Sequence, residues 1–348
     1  MHDDTDRNLF GRSPDNLESL ASALGMPRFR GRQLAEWLYR RHARSFEEMT
    51  SLSKADRALL EQRYALRHAE PLRRRQSADG TVKYAFPAVP AGNGARLDIV
   101  ETTVIPAADR MTLCLSTQLG CARGCPICAT GRLGFHGNLG SGEILTQYEC
   151  LPERREITNI VYMGMGEPLD NLEAVLESLA VLTDSRGYGV SPRRITVSTI
   201  GIAGRLERLL TESDVHVAIS LHSPFPAERA ELIPAERRHP IEQTVETLRR
   251  FDWSGRRRVS FEYALIGGKN DTKAHAKAVA RLAARLGARV NLIPVNAAGT
   301  TAGGFSPPKR ERIDAFKSAL EAAGVRATER TPRGADIDAA CGLLAGRS

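Results

Sequence analysis

The 348-residue sequence lacks a continuous apolar run of about eighteen residues, the length that a membrane-spanning helix requires. Its N-terminus is polar and lacks the apolar core that secretory signals carry. We also find no internal repeat and no low-complexity tract. These absences favour a cytoplasmic protein without membrane attachment. The six cysteines are not expected to form a disulfide framework, because thiols of a protein without an export signal stay reduced.

Positive charge is in excess, and the formal net charge is +8. Arginines cluster at residues 28–32, 73–75 and 256–258. Such clusters favour a polyanionic partner such as nucleic acid, because the guanidinium group suits phosphate; a solvated basic surface is the alternative. The remaining composition, 42% hydrophobic and 26% charged, is that of an ordinary globular protein. The length allows one large domain and a smaller one.

Three regions flank the central part of the chain. Apolar residues at helical spacing predict a small helical domain over residues 1–70, which serves either as an RNA-binding accessory or as a packing module. Residues 71–110 contain two alternating stretches, 81–86 and 97–104, which predict a β-hairpin extension. Residues 326–348 form a C-terminal tail, rich in glycine and alanine towards its end, that we expect to lie as a loop over a surface.

Residues 111–325 alternate between strands and helices, which predicts an α/β domain with a parallel sheet. Six units are fewer than the eight of a closed barrel. We therefore predict an open partial (β/α)6 barrel, with a doubly wound sheet as the alternative. The predicted strands are 112–116, 159–163, 194–199, 215–221, 259–266 and 289–295, and the clearest helices are 171–183, 241–251, 272–286 and 308–322.

After the first of these strands, Cys121, Cys125 and Cys128 follow the spacing C-x3-C-x2-C. Three thiolates in so short a loop are suited to one [4Fe–4S] cluster, and with three ligands one iron stays open. That iron can chelate the amino and carboxylate groups of S-adenosylmethionine, whose S–C5′ bond then breaks on electron transfer. The alternative is a zinc site, although the two separated C-x2-C pairs usual in zinc ribbons are missing. Its further ligand would be Cys114, Cys150 or His136.

Other motifs lie at fixed places around this loop. Residues 164–168 (GMGEP) follow the second predicted strand, residues 112–114 (TLC) precede the cysteine loop, and residues 336–342 (DIDAACG) lie near the C-terminus. With these motifs the chain resembles the radical S-adenosylmethionine (radical SAM) superfamily, and within it the RlmN/Cfr family of RNA methyltransferases, from Phe29 to Gly346. The resemblance implies a radical SAM partial barrel that binds a [4Fe–4S] cluster and S-adenosylmethionine.

The resemblance also assigns the contacts to S-adenosylmethionine. All of them lie at or near the carboxyl ends of predicted strands, the edge at which such sheets build their sites. Taken singly, most of these residues would be ordinary strand-end or surface residues, and only the shared edge distinguishes them. They are Gly166, Glu167, Ser198, Ser220, Leu221, His222 and Asn296.

A two-stage mechanism is implied as well, because an electron-poor adenine carbon does not attack a methyl sulfonium. Cys341 takes a methyl group from one S-adenosylmethionine, and a second molecule yields the radical that removes hydrogen from it, so that two molecules are used per turnover. The resulting carbon adds to the ring, and Glu101 accepts a proton. Cys114 then releases the product through a transient Cys114–Cys341 disulfide.

Each of these three residues also has an ordinary interpretation. Cys114 would be a buried strand cysteine, Cys341 an inert thiol of the tail, and Glu101 an outward-facing acid. Cys150 is expected in the core and His136 in a loop.

The function that the resemblance implies is methylation of an adenine ring carbon in RNA, at C2 with C8 as the rival position. The substrate would be 23S ribosomal RNA, with tRNA as a further substrate. We expect a monomer that receives electrons from a donor such as flavodoxin or ferredoxin. Two alternatives are a radical SAM enzyme acting on a non-RNA substrate, against which Cys341 in its motif argues, and a zinc-stabilised RNA-binding protein without catalysis.

Overall fold

The structure of the protein, a computed structural model, describes residues 7–88, 98–295 and 304–345. Its N-terminal part is helical, as predicted, because apolar residues at helical spacing form buried faces. Ser13 and Ser53 each cap a helix by accepting a hydrogen bond from the backbone N–H three residues further on. The helices are α1 (Pro14–Ala23), α2 (Phe29–Ala35), a π-helical turn (Glu36–Arg40) that continues α2, and α3 (Lys54–Arg63).

Helices α1 and α2 pack with their backbones in contact at Gly31, where an added Cβ would lie 2.3 Å from Glu18 Cα. The buried Glu18 carboxylate pairs with Arg28, Arg32 and Arg186. Because Arg186 belongs to the main domain, this carboxylate joins the helical part to it. Arginines of the first basic cluster are therefore used in an internal ion-pair network.

Strands occupy the centre of the main domain. In chain order they are β1 (Arg73–Gln76), β2 (Val82–Pro87), β3 (Ile99–Ala107), β4 (Arg110–Cys114), β5 (Gln118–Gly120), β6 (Phe135–Asn138), β7 (Asn159–Tyr162), β8 (Ile195–Thr199), β9 (His216–Ser220), β10 (Val259–Leu265), β11 (Arg289–Pro294) and β12 (Ala327–Glu329). In the part of the chain that the structure describes, β5 and β6 form a small sheet, and the other ten strands form one sheet in chain order. Strands β1 to β4 pair antiparallel, whereas β4 and β7 to β12 are parallel.

Alternation along the parallel strands separates the two faces of the sheet. Apolar residues face the helices: Tyr162 hydrogen-bonds Ser178 at 2.8 Å, and the ring of Tyr263 lies 5.2 Å from that of Phe316. The helices after the first parallel strand are α4 (Ala129–Leu133), α5 (Ser141–Glu149), α6 (Leu172–Thr183), α7 (Ala203–Glu212), α8 (Pro226–Leu232), α9 (Ile241–Arg249), α10 (Lys273–Ala284) and α11 (Arg310–Ala322). Among the described residues, no helix has the length and apolar character needed to cross a membrane.

The opposite face of the sheet is concave and carries many polar residues. Arg330, directly after β12, has its Nη1 atom 3.5 Å from the Sδ atom of Met163, directly after β7. Four strands separate β7 from β12 in the sheet. The sheet must therefore curl for the two side chains to touch, as an open barrel requires.

The predicted fold is confirmed, with two additions to the strands. The six predicted parallel strands are present within about two residues of their expected bounds, and a seventh, β12, lies in the segment expected to be tail. Its three residues are too short to show a periodic pattern. Strand β1 adds a third antiparallel strand to the expected hairpin. The predicted start of the hairpin's second strand, Leu97, lies outside the described residues. The predicted domain limits remain predictions.

The contact at Gly31 yields a test of the helical part. In Gly31→Ala the new methyl group meets backbone atoms of α1, which cannot rotate away, so we expect the free energy of unfolding to fall by about 1–3 kcal/mol. The control is Gly204→Ala in α7, where an added Cβ meets open space and we expect a change of less than about 1 kcal/mol. Chemical denaturation compares the two variants, and equal effects would contradict the close packing.

Candidate active site

The three clustered cysteines lie in the turn between β5 and α4. Cys121 is buried, and its N–H donates to the carbonyl oxygen of Gly134 at 2.8 Å. Cys128 closes the turn by donating its N–H to the carbonyl oxygen of Cys125 at 3.1 Å. Gly120 has a positive φ of 69°, and a Cβ there would lie 1.9 Å from the Gly134 oxygen. Only glycine fits at that position, so the backbone itself fixes the loop.

Burial and neighbouring negative charge disfavour ionisation of two of the three thiols. Burial raises the pKa of Cys121 to about 12, and burial together with the neighbouring thiols raises the pKa of Cys125 well above its usual range. In the described ranges, no three His, Cys, Asp or Glu side chains converge as ligands of a single ion do. A [4Fe–4S] cluster binds each thiolate through a different iron, so convergence on one point is not required. The loop is therefore compatible with such a cluster, and the assignment of Cys121, Cys125 and Cys128 as its ligands stays a prediction.

The GMGEP segment lies beside this loop, at the end of β7. Gly166 has a φ of 101°, and an added Cβ would lie 2.6 Å from the Cβ of Gln118. The Glu167 carboxylate accepts hydrogen bonds from the Thr199 hydroxyl at 2.5 Å and from the N–H groups of Ile200 and Leu169, each at 3.0 Å. Its side chain thus ties the segment to the end of β8. The cofactor contact predicted for Gly166 and Glu167 stays a prediction.

The other predicted cofactor contacts gather at the same sheet edge. Ser198 and Ser220 are half-buried on the concave face, and Leu221 is fully buried after β9. His222 has a left-handed backbone (φ 55°), and its Nδ1 accepts a hydrogen bond from the Ala264 N–H at 2.9 Å. Burial lowers the pKa of His222 to about 3, so the ring is neutral at neutral pH and carries its proton on Nε2. Asn296 lies outside the described residues.

Arg229 is a site residue that the sequence did not reveal. It is fully buried and pairs with the buried Glu236. Its guanidinium donates to the carbonyl oxygens of Ile200, Ser220 and Leu221 at 2.9, 2.8 and 3.1 Å. It therefore joins the carboxyl ends of β8 and β9. An arginine in the short helix α8 has no local pattern that distinguishes it from a surface residue.

Cys114 and Cys341 come together although 226 positions separate them in the chain. Burial raises the pKa of Cys114 to about 12, and the negative charge of Cys341 is the second cause. Cys341 is exposed to solvent, yet protein groups surround its thiol and raise its pKa. The Arg330 guanidinium interacts with both sulfurs. All six cysteines are free thiols, so the expected transient disulfide stays a prediction.

Hydrogen bonds hold the tail that carries Cys341. On one side, Ala129 donates its N–H to the Gly342 carbonyl at 2.7 Å, and the Thr130 hydroxyl donates to the Leu344 carbonyl at 2.6 Å. On the other side, the Ser77 hydroxyl donates to Asp336 at 2.6 Å. The tail therefore lies between the cysteine loop and the β-extension.

Glu101 is buried on the concave face and is not the outward-facing acid of the ordinary interpretation. One carboxylate oxygen lies 2.8 Å from Lys83 Nζ, and the other accepts a hydrogen bond from the Ala345 N–H at 2.9 Å. Lys83 also reaches the carbonyl oxygen of Asp338 at 3.4 Å. Glu101 thus contacts the tail that carries Cys341. Its proton-accepting role stays a prediction.

Cys150 and His136, the other two candidate zinc ligands, have ordinary environments. Cys150 is buried in the core, as expected, and accepts a hydrogen bond from Arg44 at 3.4 Å. His136 lies in β6 rather than in a loop, and its Nε2 is 3.0 Å from the Leu133 carbonyl oxygen.

Comparison with known proteins agrees with this geometry. Residues 115–283 match the family model for the "Radical SAM superfamily", and residues 7–66 match that for the "Ribosomal RNA large subunit methyltransferase N-terminal domain". The chain is 47% identical to the "Probable dual-specificity RNA methyltransferase RlmN" of Porphyromonas gingivalis over 97% of this chain and 96% of that protein. It is 39% identical to the "Dual-specificity RNA methyltransferase RlmN" of a Marinomonas species over 97% and 93%. A crystal structure of a radical SAM methyltransferase from Sphaerobacter thermophilus matches with a TM-score of 0.86 and 41% identity, covering 98% of this chain and 99% of that one.

The cysteine loop yields a test of the cluster. Anaerobic reconstitution should load about four irons per chain, and Cys121→Ala, Cys125→Ala or Cys128→Ala should remove the iron–sulfur absorbance, because each thiolate binds one iron. Cys150→Ala is the matched control and should keep both the bound iron and the iron–sulfur absorbance, since Cys150 is bonded to Arg44 instead. Stoichiometric zinc without iron uptake in the parent protein would refute the assignment.

Proposed function

The chain belongs to the RlmN family of radical SAM RNA methyltransferases, and we propose that it methylates an adenine ring carbon in RNA through a methyl group carried on Cys341. We favour C2 over C8, with 23S ribosomal RNA as substrate and tRNA as a further one. The names of the relatives, which specify dual specificity, support more than one RNA substrate. Family membership also sets aside the zinc-stabilised binding protein. The proposal is carried by the convergence of Cys114 and Cys341 beside the cysteine loop.

The two thiols have different tasks. Cys341, the more exposed, attacks the methyl group of S-adenosylmethionine, so that its sulfur gains the methyl group and S-adenosylhomocysteine leaves. When bound, the cluster and a second S-adenosylmethionine supply the organic radical that removes a hydrogen atom from this methyl group. The sulfur of Cys341 then holds this carbon against the adenine ring.

We propose that Cys114 releases the product. Its thiolate attacks the Cys341 sulfur, the sulfur–carbon bond breaks, and the electron pair stays on the carbon, which takes up a proton to become the methyl group. The adduct holds one unpaired electron from the radical addition, and the cluster, when bound, would take that electron back. A Cys114–Cys341 disulfide forms, and a thiol reductant restores the two thiols for the next turnover. The electrostatic interaction between the two thiols supports this role, because it requires them to lie in the same part of the molecule.

Glu101 is the proposed acceptor of the proton that leaves the ring carbon. Its pairing with Lys83 holds the carboxylate in place, and its bond to the Ala345 N–H aligns it with the tail that carries Cys341. The register of β3 and β4 places Thr103 opposite Cys114, so Glu101, two residues earlier, shares their face. Glu101, Cys114 and the tail that carries Cys341 thus meet on the concave side of the sheet.

Changing Cys114 tests the mechanism. In Cys114→Ala the product cannot be released, so the protein should accumulate covalently joined to RNA, visible as a slow band on a denaturing gel that nuclease removes. Cys341→Ala and the double variant should show no such band, because the carrier is missing. A Cys114→Ala protein that turns over normally without bound RNA would disprove the releasing role.

The edge strand β1 offers a surface for RNA. Strand pairing places Arg75 opposite Lys83, Lys83 opposite Thr103, and Thr103 opposite Cys114. Residues that face each other across strands share one side of the sheet, so Arg75 and, two residues earlier, Arg73 lie in line with the active thiol. Both arginines are exposed. We propose that they bind RNA phosphates and guide the substrate to Cys341.

Arg73→Ala with Arg75→Ala tests this surface. We expect weaker binding to all RNA substrates and a salt dependence of log K that is about one to two units shallower, because fewer phosphate contacts release fewer counterions. Arg208→Ala is the control, since this arginine of α7 pairs with Glu173 and Glu212. Salt-titrated binding measures both, and an unchanged slope in the double variant would argue against the surface.

A further inference from the structure

Glu262 is a buried carboxylate with only one oxygen hydrogen-bonded. It lies on the concave face of β10 and is 3% exposed. Its Oε1 accepts from the Asn291 amide at 2.7 Å and from the Ser260 hydroxyl at 3.1 Å. Its Oε2 has no hydrogen-bond donor among the residues that the structure describes. A buried oxygen of this kind is costly unless a ligand completes it.

A guanidinium group lies beside this oxygen without bonding it. Arg330 Nη1 is 3.6 Å from Glu262 Oε2, which is within ion-pair range but too far for a hydrogen bond. Its Nη1 also lies 3.5 Å from the sulfur of Met163, and its charge interacts with Cys114 and Cys341. Arginine has five N–H donors, so most of them are available to a ligand. The concave face of the sheet therefore presents a hydrogen-bond acceptor next to several donors.

Both groups are held firmly and lie beside the reacting thiols. Asn291, which bonds the first oxygen of Glu262, itself accepts a hydrogen bond from the Thr328 hydroxyl at 2.5 Å. The backbone N–H of Arg330 donates to the Leu292 carbonyl at 2.8 Å. The charges of Glu262 and Arg330 act on the thiol of Cys341, so this pair lies in the same part of the molecule as that thiol.

Adenine matches this pair by its hydrogen-bonding pattern. Its exocyclic amino group donates, and the ring nitrogens on either side, N1 and N7, accept. Guanine and hypoxanthine carry a carbonyl oxygen at the position of the amino group, which a carboxylate repels. The pair therefore discriminates between purines without any contact to the carbon that reacts.

Building on the proposed function, we propose that Glu262 and Arg330 are the recognition site for the reacting adenine. Glu262 Oε2 accepts a hydrogen bond from the exocyclic amino group, and Arg330 donates one to an adjacent ring nitrogen. For this contact the target nucleotide must leave its stack and enter the concave side of the sheet, as in other enzymes that modify a base.

The test replaces the target adenosine by purine riboside, which lacks only the amino group, in an otherwise identical RNA. For the parent protein we expect both the dissociation constant and kcat/KM for methyl transfer to worsen by about ten- to a hundredfold on this RNA. In Glu262→Gln the amide keeps the bonds to Asn291 and Ser260 through its oxygen and turns its NH2 group to the base. The ratio of kcat/KM for the adenosine RNA to kcat/KM for the purine RNA should then fall to within about threefold of one, because a donor now faces the amino group.

Glu329→Gln is the matched control. This carboxylate is next to Arg330 in the chain but pairs with Arg310 at 2.9 Å, so the ratio should stay at the parent value. A merely structural Glu262 would lower activity on both RNAs equally and leave the ratio unchanged, which would overturn the proposal. The parent protein alone also decides it, because equal treatment of the two RNAs in binding and in transfer would refute recognition whether or not the variant folds.

The two proposals fail in different ways. If the parent protein methylates both RNAs equally, the proposed recognition site is refuted and the proposed function stands. If the parent protein binds the adenosine RNA more tightly than the purine RNA but methylates neither, the proposed recognition site stands and the proposed function is refuted. Formation of S-methylcysteine at residue 341 in Glu262→Gln confirms that this variant retains an intact site.

Discussion

The fixed position of the C-terminal tail is the constraint on which the rest of the site depends. The tail bonds to α4 through the Gly342 and Leu344 carbonyls and to Glu101 through the Ala345 N–H. Helix α4 follows the cysteine loop directly, whereas Glu101 belongs to β3. These bonds join the tail to α4 on one side and to β3 on the other, and they restrict the position of the Cys341 thiol. A sulfur that carries a carbon to a ring must be held this closely, because small displacements cost large factors in rate.

The concave face of the sheet is polar because the opposite face supplies the apolar core. Side chains such as Tyr162 and Tyr263 turn to the helices, so their neighbours along the strands turn inward. Buried charge is costly unless it is paired, and the inward-facing Lys83 and Glu101 form such a pair. Glu262 is paired with Arg330 at 3.6 Å, but the same oxygen accepts no hydrogen bond from any residue that the structure describes. This oxygen is the one at which we propose that the reacting adenine binds.

Sequence patterns predicted those features that depend on local spacing. The alternation of strands and helices and the three-cysteine loop are both defined over short distances along the chain, so the order of the residues is enough to locate them. Arg229, Arg330 and Glu262 could not be found in this way, because each acts through partners that only the folded sheet brings near. Strand β12 escaped for the same reason, since its three residues are a strand only by pairing with β11. Membership of a family located Cys341, whose neighbours in the chain give no chemical reason for its role.

Protonation of the two thiols explains how the proposed steps keep their order. With the pKa of Cys114 raised to about 12 and the pKa of Cys341 also raised, both thiols are protonated at neutral pH, which protects them from premature disulfide formation. The negative charge of Cys341 is one cause of the raised pKa of Cys114, and a Cys341 sulfur that carries carbon cannot ionise. Attachment of the methyl group therefore removes this repulsion, while the attraction of Arg330 for a Cys114 thiolate remains. The pKa of Cys114 must fall at the stage at which its thiolate is needed, although burial, the larger cause, still holds it above its ordinary value.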